Sequence, residues 1–547
     1  MIAELSSKMQ GAAGRLHRYV MSPIGRAMLL VVIAFVVGVI TVVVALLSLG
    51  DPDYMGVSRS DFDVKIPDAN ISTLARPDKP NIVFVLADDL GYGDLSVYGA
   101  TPIRTPNIAR LAQEGAMFTD FYSPAPICSP SRAGFLTGRY PPRMGITFPY
   151  QPPKTKNIAT KIEDRGVQLL ANLGAVDMRA PENLSPGLPH SELTIAEGLK
   201  AAGYATGIVG KWHLGDYAVS MEHHPTNHGF DYVVGFPASN DEYPISFYRG
   251  KEQIVEDIGL DQAPYTAIFT DAAIEFVQDN KDQPFFLFLS HKDPHQPFYP
   301  SERHAGQSDA GPYGDVVEEM DFELGRLLGT LDELGLSDDT VVIFTSDNGP
   351  WYEGSAGHLR GRKGMSFEGG YRVPFLMKYP RTITGGTVVH RAAMGIDLLP
   401  VVFSLAGVEA PTDRKIDGES FLGADGQLLG DDTPRSPLYF FTGYDFEGVR
   451  DDNLKYIDRT NVYAWPIPLD KPIGLMEALM PVYEAPDGSY SIPKLNAWPK
   501  LFDLETDPSE SYDVSRHHPD DVKRMKDLLS KWRSEFLADP QAIDEPS

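Results

Sequence analysis

The 547-residue chain contains one cysteine, Cys128, within Cys128-Ser129-Pro130-Ser131-Arg132. A Ser-Pro pair opens helices: Ser129 reads as the cap and Pro130 as the first helical residue. The thiol would then lie just ahead of a helix N-terminus, where free N–H groups favour an anion. A lone thiol is ordinarily a small packing group. Arg132 argues otherwise, since a bidentate cation four residues on suits a substrate oxyanion. The expected chemistry is a nucleophile beside an anion hole, with Thr137-Gly138-Arg139 ending the short helix. One thiol also excludes an intramolecular disulfide framework and any multi-thiolate zinc site.

Four more polar groups follow apolar runs: Asp88-Asp89, Lys211-Trp212-His213, His291-Lys292-Asp293-Pro294-His295 and Asp347-Asn348. Ligands of open α/β sheets sit beyond the carboxyl ends of the strands, so these are the places to look for a site. A single Asp after a strand is commonly a cap or turn former. Two adjacent acids, joined by a further acid and amide from another strand, read instead as a cation site. Asp88, Asp89, Asp347 and Asn348 offer hard oxygen donors only, which suits Ca²⁺ or Mg²⁺ and disfavours zinc.

Only a largely parallel sheet brings such distant residues together, and from Asn81 onward short apolar runs alternate with amphipathic stretches as βα units do. Residues 82–86 are apolar on both faces, as a central parallel strand requires. Residues 204–209, 284–289 and 340–344 read as further buried strands. Thr105-Pro106 predicts a helix ending at Gly115, and Thr194 with Glu197 has capping-box spacing. Val317, Met320, Leu324, Leu327, Leu328 and Leu331 predict a crossover helix that stops at Gly335. Past about residue 410 the pattern weakens. Short strands at 436–442 and 501–503 and an amphipathic helix through Val522, Met525, Leu528, Leu529 and Trp532 predict a smaller C-terminal subdomain.

Hydrophobic residues at 42% support a large core, and a formal net charge of −27 excludes a general nucleic-acid binder, which needs a basic excess. Residues 27–49 form an uncharged apolar run long enough to cross a bilayer. Lys8, Arg15, Arg18 and Arg26 precede it and Asp51 and Asp53 follow, so the positive-inside rule puts residues 1–26 in the cytoplasm. The expected organisation is a cytoplasmic tail (1–26), a membrane anchor (27–49), a linker (50–79), a catalytic domain (80–410) and a C-terminal subdomain (411–547). The catalytic part would face a periplasmic, extracellular or lumenal space, with a cleaved signal as the alternative.

Cys128-Ser129-Pro130-Ser131-Arg132 followed by Thr137-Gly138-Arg139 resembles the signature of the formylglycine-dependent sulfatases, in which the cysteine becomes Cα-formylglycine. The other landmarks stand in order: Ala87-Asp88-Asp89-Leu90-Gly91-Tyr92-Gly93, Thr105-Pro106-Asn107-Ile108, Gly210-Lys211-Trp212-His213-Leu214-Gly215, Gly229-Phe230-Asp231-Tyr232, Ser346-Asp347-Asn348-Gly349, and Lys363 through Glu368-Gly369-Gly370-Tyr371-Arg372-Val373-Pro374. The resemblance runs from about residue 80 to 410, and more weakly at Leu501-Phe502-Asp503-Leu504-Glu505-Thr506-Asp507-Pro508. It implies an alkaline-phosphatase-like α/β fold with a large, mostly parallel sheet and a smaller C-terminal α+β subdomain.

The resemblance also implies roles. Formylglycine at 128 would be hydrated to a geminal diol, one hydroxyl attacking sulfur and the other later expelling sulfate. Asp88, Asp89, Asp347, Asn348 and the modified Cys128 would hold the cation, Ca²⁺ with Mg²⁺ as the alternative. Asp347 would also activate the attacking hydroxyl. Arg132 and Lys211 would fix the diol, Lys211, His295 and Lys363 would bind substrate, and His213 would take the second hydroxyl's proton. His295, which precedes a residue-Pro step, would protonate the leaving group, with His291 as the alternative. Glu368 and Arg372 would form a supporting ion pair. A formylglycine-generating enzyme is the implied maturation partner, and the substrate is a sulfated small molecule or glycan.

Two other readings remain at this point. One is a formylglycine-dependent phosphonate monoester or phosphodiester hydrolase, and the other a tethered, catalytically inactive sulfatase-like binding protein whose Cys128 is never oxidised. Substrate-specificity loops are expected within residues 144–189, 220–264 and 461–494, and Trp351, Tyr352 and His358 are candidates for the substrate mouth.

Overall fold

The computed structural model describes residue 73 and residues 79–150, 187–443, 445–459, 483–484, 490–491 and 499–538. Asn81–Ala87, buried along its whole length, lies inside a ten-stranded sheet. Phe285–Ser290 and Thr340–Ser346 flank it in parallel, Ala205–Lys211 lies beyond the first, and Tyr232–Phe236 extends the parallel run. Parallel order points all these strands the same way, so their polar C-terminal residues gather at one end of the sheet. Antiparallel strands continue it on both sides: Phe247–Arg249 and Glu252–Val255 beyond Tyr232–Phe236, and Phe375–Lys378 beside Thr340–Ser346.

Crossover helices Tyr265–Asp279 and Gly311–Glu333 cover one sheet face, with Phe269, Phe276, Val317, Leu324 and Leu328 packed into the layer that holds Val83, Val85 and Leu287. The opposite face buries Phe84, stacked on Phe288 at 5.0 Å, together with Phe135 and Trp212. Thr194 and Glu197 form the expected capping box on helix Ile195–Ala201. Helix Pro106–Glu114 starts after Thr105, but the threonine hydroxyl accepts from Ser96 N–H at 3.0 Å and not from the helix.

The strand ends approach so closely that side chains are excluded from one crossing. Gly210 has φ +108, and a Cβ there would stand 1.8 Å from the Ser290 carbonyl oxygen. Gly210→Ala is expected to destabilise the protein by about 2–4 kcal/mol, because it combines a left-handed backbone with a backbone clash. A urea midpoint equal to wild type would contradict this packing.

A separate antiparallel sheet follows, built from Leu438–Thr442, Asp445–Asp451, Leu454–Ile457 and Lys500–Asp503. Helix Pro519–Ala538 covers it, with Trp532 stacked on Tyr439 at 4.1 Å. Lys455, fully buried, ties this sheet to the helical turn Glu368–Tyr371 by pairing with Glu368 at 2.8 Å, and also pairs with Glu510 at 3.0 Å. Glu368 also meets Arg372 at 3.3 Å, the ion pair anticipated for that stretch.

The membrane-anchored, extracytoplasmic placement is corrected. Among the described residues no helix is long and apolar enough to cross a membrane. The long helices Gly311–Glu333 and Pro519–Ala538 each carry several acids along their length, and an ionised side chain in hydrocarbon is costly. The apolar run 27–49 and the tail before it lie outside the described residues, and the assignment is withdrawn.

Candidate active site

Successive strand residues normally point to opposite faces, yet both Asp88 and Asp89 serve one site. Asp89 adopts φ +65, and this left-handed residue breaks the alternation at the strand end. The neighbouring strand ends are joined by backbone hydrogen bonds from Asp347 N to Ala87 O (3.0 Å), from His291 N to Leu86 O (2.8 Å) and from Asp88 N to Asp293 O (2.9 Å). Asp89 N–H donates to Asp347 Oδ1 at 3.1 Å. Carboxylates separated by more than 250 residues of chain are thereby held together.

Cys128 opens helix Cys128–Thr137. The expected start at Pro130 is corrected: Ile127 occupies the cap position with no side-chain cap, and the Ser129 hydroxyl accepts from Tyr150 N–H at 2.9 Å. The thiol faces Asp88 Oδ1 at 3.4 Å and Asp89 Oδ1 at 3.8 Å. Burial pushes it well above its ordinary value and the charges of Asp347 and Asp88 add to this, against Lys211 and Lys363. An un-ionised thiol is a poor nucleophile in its own right.

One oxygen each from Asp88, Asp89 and Asp347, with Cys128 Sγ, lie within 4.8 Å of one another. Asn348 donates from Nδ2 to Asp89 Oδ1 at 2.7 Å, while its buried Oδ1 has no hydrogen-bond partner among the described residues. An unsatisfied buried oxygen beside three converging carboxylates fits a hard divalent cation; a His295 nitrogen also comes within 4.8 Å of Asp89 and Cys128, but the donors are mostly oxygens and include one sulfur, unlike multi-thiolate zinc sites.

Three cations balance these acids. Lys211, fully buried, donates to Asp88 Oδ2 at 2.6 Å and to Ser239 Oγ at 3.1 Å. Arg132, also fully buried, binds Asp347 Oδ2 through Nε at 2.9 Å and donates to Ser290 Oγ at 2.5 Å and Lys211 O at 3.0 Å. Lys363 reaches Asp89 Oδ2 at 2.8 Å and keeps some solvent exposure. Burial would raise Asp88, but Lys211, His295, Arg132 and Lys363 hold it well below the usual carboxylate range; burial and the Asp88 charge push Asp347 up.

His213, another left-handed residue at φ +56, donates from Nε2 to the Tyr150 carbonyl at 3.0 Å. A carbonyl only accepts, so the proton is on Nε2 and the buried Nδ1, which has no partner among the described residues, carries the lone pair. Burial, then Lys211 and Arg132, push this imidazole well below its ordinary value and keep it neutral. His295 donates from Nδ1 to Gln296 O at 2.6 Å and turns Nε2 toward Asp89 Oδ2 at 3.7 Å. His291 is fully buried, with neither ring nitrogen hydrogen-bonded among the described residues, and burial pushes it down to about 4.

Ser239, Ser290, Glu242 and the Tyr150 carbonyl were not anticipated. Ser290 and Ser239 could have been found as polar residues at or just after strand ends. The carbonyl leaves no sequence signal. Trp351 and Tyr352 pack edge-on against each other at 4.7 Å, and His358 lies edge-on to Tyr92 at 6.2 Å. Most of the expected specificity loops, 151–186 and most of 461–494, lie outside the described residues.

The sulfatase family model matches residues 80–408, and the model described as N-sulphoglucosamine sulphohydrolase, C-terminal, matches residues 358–465. The chain is 35% identical over 472 residues to steryl-sulfatase of Mus musculus, covering 71% of this chain and 71% of that protein. It is 37% identical over 388 residues to N-acetylgalactosamine-6-sulfatase of Homo sapiens, covering 67% and 69%. The structure of Ps i-CgsB in complex with k-i-k-neocarrahexaose superimposes with a TM-score of 0.65 at 26% identity, over 83% of this chain and 93% of that one.

Proposed function

We propose a residue-by-residue mechanism from one premise: the chain belongs to the sulfatase family and hydrolyses sulfate monoesters. The observation that carries the mechanism is the convergence of Asp88, Asp89, Asp347 and Cys128 on one point, ringed by Arg132, Lys211 and Lys363. Asp88, Asp89, Asp347, Asn348 and the modified side chain at 128 would hold Ca²⁺, or Mg²⁺, which would polarise a sulfate oxygen and help ionise the attacking hydroxyl. Formylglycine, made from Cys128 by a formylglycine-generating enzyme, would supply a geminal diol with one hydroxyl to attack sulfur and one to expel sulfate.

The remaining work belongs to the chain's own groups. Arg132 and Lys211 fix the side chain at 128 and neutralise charge that builds on it. Asp347, raised by burial, accepts the attacking hydroxyl's proton. Lys211, Lys363 and His295 bind the sulfate, and His295 protonates the departing ester oxygen. His213 Nδ1, held free by the Tyr150 contact, takes the proton of the second hydroxyl.

The substrate is a sulfated small molecule or glycan: the name N-acetylgalactosamine-6-sulfatase and the oligosaccharide complex favour a sulfated carbohydrate, and the name steryl-sulfatase a sulfated small molecule. The test is sulfate release, followed by ion chromatography, from 4-nitrophenyl sulfate and from sugar sulfates, with phenylphosphonate as the competing substrate. A kcat/KM higher for phenylphosphonate than for every sulfate ester would overturn this reading. A second result tests the acid: His295→Asn should cost about 10²–10⁴-fold in kcat on a sugar sulfate, and much less on 4-nitrophenyl sulfate, whose leaving group departs without a proton. Equal losses on both would remove His295 from that role.

A further inference from the structure

The turn Ser239-Asn240-Asp241-Glu242, just after strand Tyr232–Phe236, is tied to three of the residues assigned above. Ser239 Oγ accepts from Lys211 Nζ at 3.1 Å, and Asn240 Nδ2 donates to the His295 carbonyl at 3.4 Å. Glu242 accepts from Ser239 N–H at 3.0 Å and stands 3.7 Å from His213 Nε2. Gln262 clamps the turn from outside, its Nε2 donating to Asn240 O at 2.8 Å. Ser239 and Asn240 are buried, and their polar atoms face inward; Asp241 is exposed at the tip.

Asp241 is therefore an exposed carboxylate in the turn that borders a cationic site, next to Asn240, which bonds the His295 carbonyl, and two residues from Ser239, which bonds Lys211. Crowding by the surrounding protein would raise the Asp241 carboxyl, but His295, Lys211, the Ser239 hydroxyl and Lys363 hold it below the ordinary range. Cys128, Lys211 and Arg132 are sealed, whereas His295 and Lys363 retain exposure. An ester with its sulfur at Cys128 would direct its ester oxygen toward His295 and Lys363, the members of the site that retain exposure, and its carbon skeleton outward beside the turn that carries Asp241, which Asn240 joins to His295. An ionised carboxylate only accepts hydrogen bonds, so it favours O–H donors there and repels a second sulfate.

We propose that Asp241 is a specificity-determining residue whose carboxylate accepts a hydrogen bond from the hydroxyl on the carbon next to the sulfated one, selecting sugar or polyol monosulfates with that hydroxyl free. This rests on the sulfatase reading above. A charge-assisted hydrogen bond of this kind sets a discrimination of roughly ten- to a hundredfold.

The test compares purified wild type, Asp241→Asn and Asp241→Ala on 4-nitrophenyl sulfate, a panel of galactose, glucose and N-acetylglucosamine monosulfates, and galactose 3,4-disulfate. The expected result is that the ratio of kcat/KM for the best sugar monosulfate over 4-nitrophenyl sulfate falls at least tenfold in both variants. Discrimination against the disulfate should narrow in parallel. Thermal midpoints of the variants show whether they fold, and the ratio is insensitive to the fraction of active protein. An unchanged ratio, or wild-type activity on the aryl ester with none on any sugar sulfate, would overturn the Asp241 assignment alone. Wild-type turnover of no sulfate ester would overturn the sulfatase reading and this assignment with it.

Discussion

Cys128→Ala should lower sulfate ester turnover to background, a loss of at least about 10⁴-fold, with the fold retained. Position 128 opens a buried helix, and alanine deletes only a sulfur whose contacts are the weak ones to Asp88 and Asp89, at 3.4 and 3.8 Å. The expected stability change is about 1 kcal/mol. Cys128→Ser is the more informative companion. A serine hydroxyl can attack sulfur but has no second hydroxyl to expel sulfate, so one equivalent of alcohol should appear and turnover should then stop. Mass spectrometry of the wild-type peptide should show the thiol replaced by an aldehyde. Fully unmodified Cys128 in an active preparation would refute the mechanism, since burial already keeps that thiol un-ionised.

Removing divalent cations should reduce activity by about 10²–10³-fold, and Ca²⁺ or Mg²⁺ should restore it. The donor set argues for this dependence: Asn348 Oδ1 is buried without a partner among the described residues, and the carboxylates of Asp88, Asp89 and Asp347 already lie within mutual reach. The cation should also raise the unfolding midpoint, by about 2.7 kcal/mol of stability at a hundredfold excess over Kd. Asp89→Asn should weaken both effects together. Full activity in protein shown by elemental analysis to hold no divalent metal would remove the cation from the mechanism.

Short-range features were legible without coordinates. Thr194 and Glu197 cap a helix three residues apart, Gly138 ends another at φ +68, and residues 82–86 are apolar on both faces because the strand is covered on both. Each depends on neighbours within one turn or one strand, where residue type and spacing carry the information. Polar residues after apolar runs likewise marked the strand ends, because parallel topology directs them to one edge.

Residue types and spacing by themselves determined the largely parallel α/β class, the hard-oxygen character of the donor set and the single thiol at a helix start; that the thiol stands beside those donors was decided by the tertiary structure. Only the tertiary structure decided that Ile127 and not Ser129 precedes the helix, that His295 faces Asp89, and that among the described residues His291 is sealed without hydrogen-bond partners and His213 Nδ1 has none beside the Tyr150 contact at Nε2. It also decided that Ser239 supports Lys211 from a turn whose next-but-one residue, Asp241, is exposed. Those contacts join segments far apart in the chain. Whether two such segments meet depends on strand order, on left-handed residues such as Asp89 and His213, and on close backbone crossings such as Gly210 with Ser290, none of which is encoded in the local pattern of apolar and polar residues.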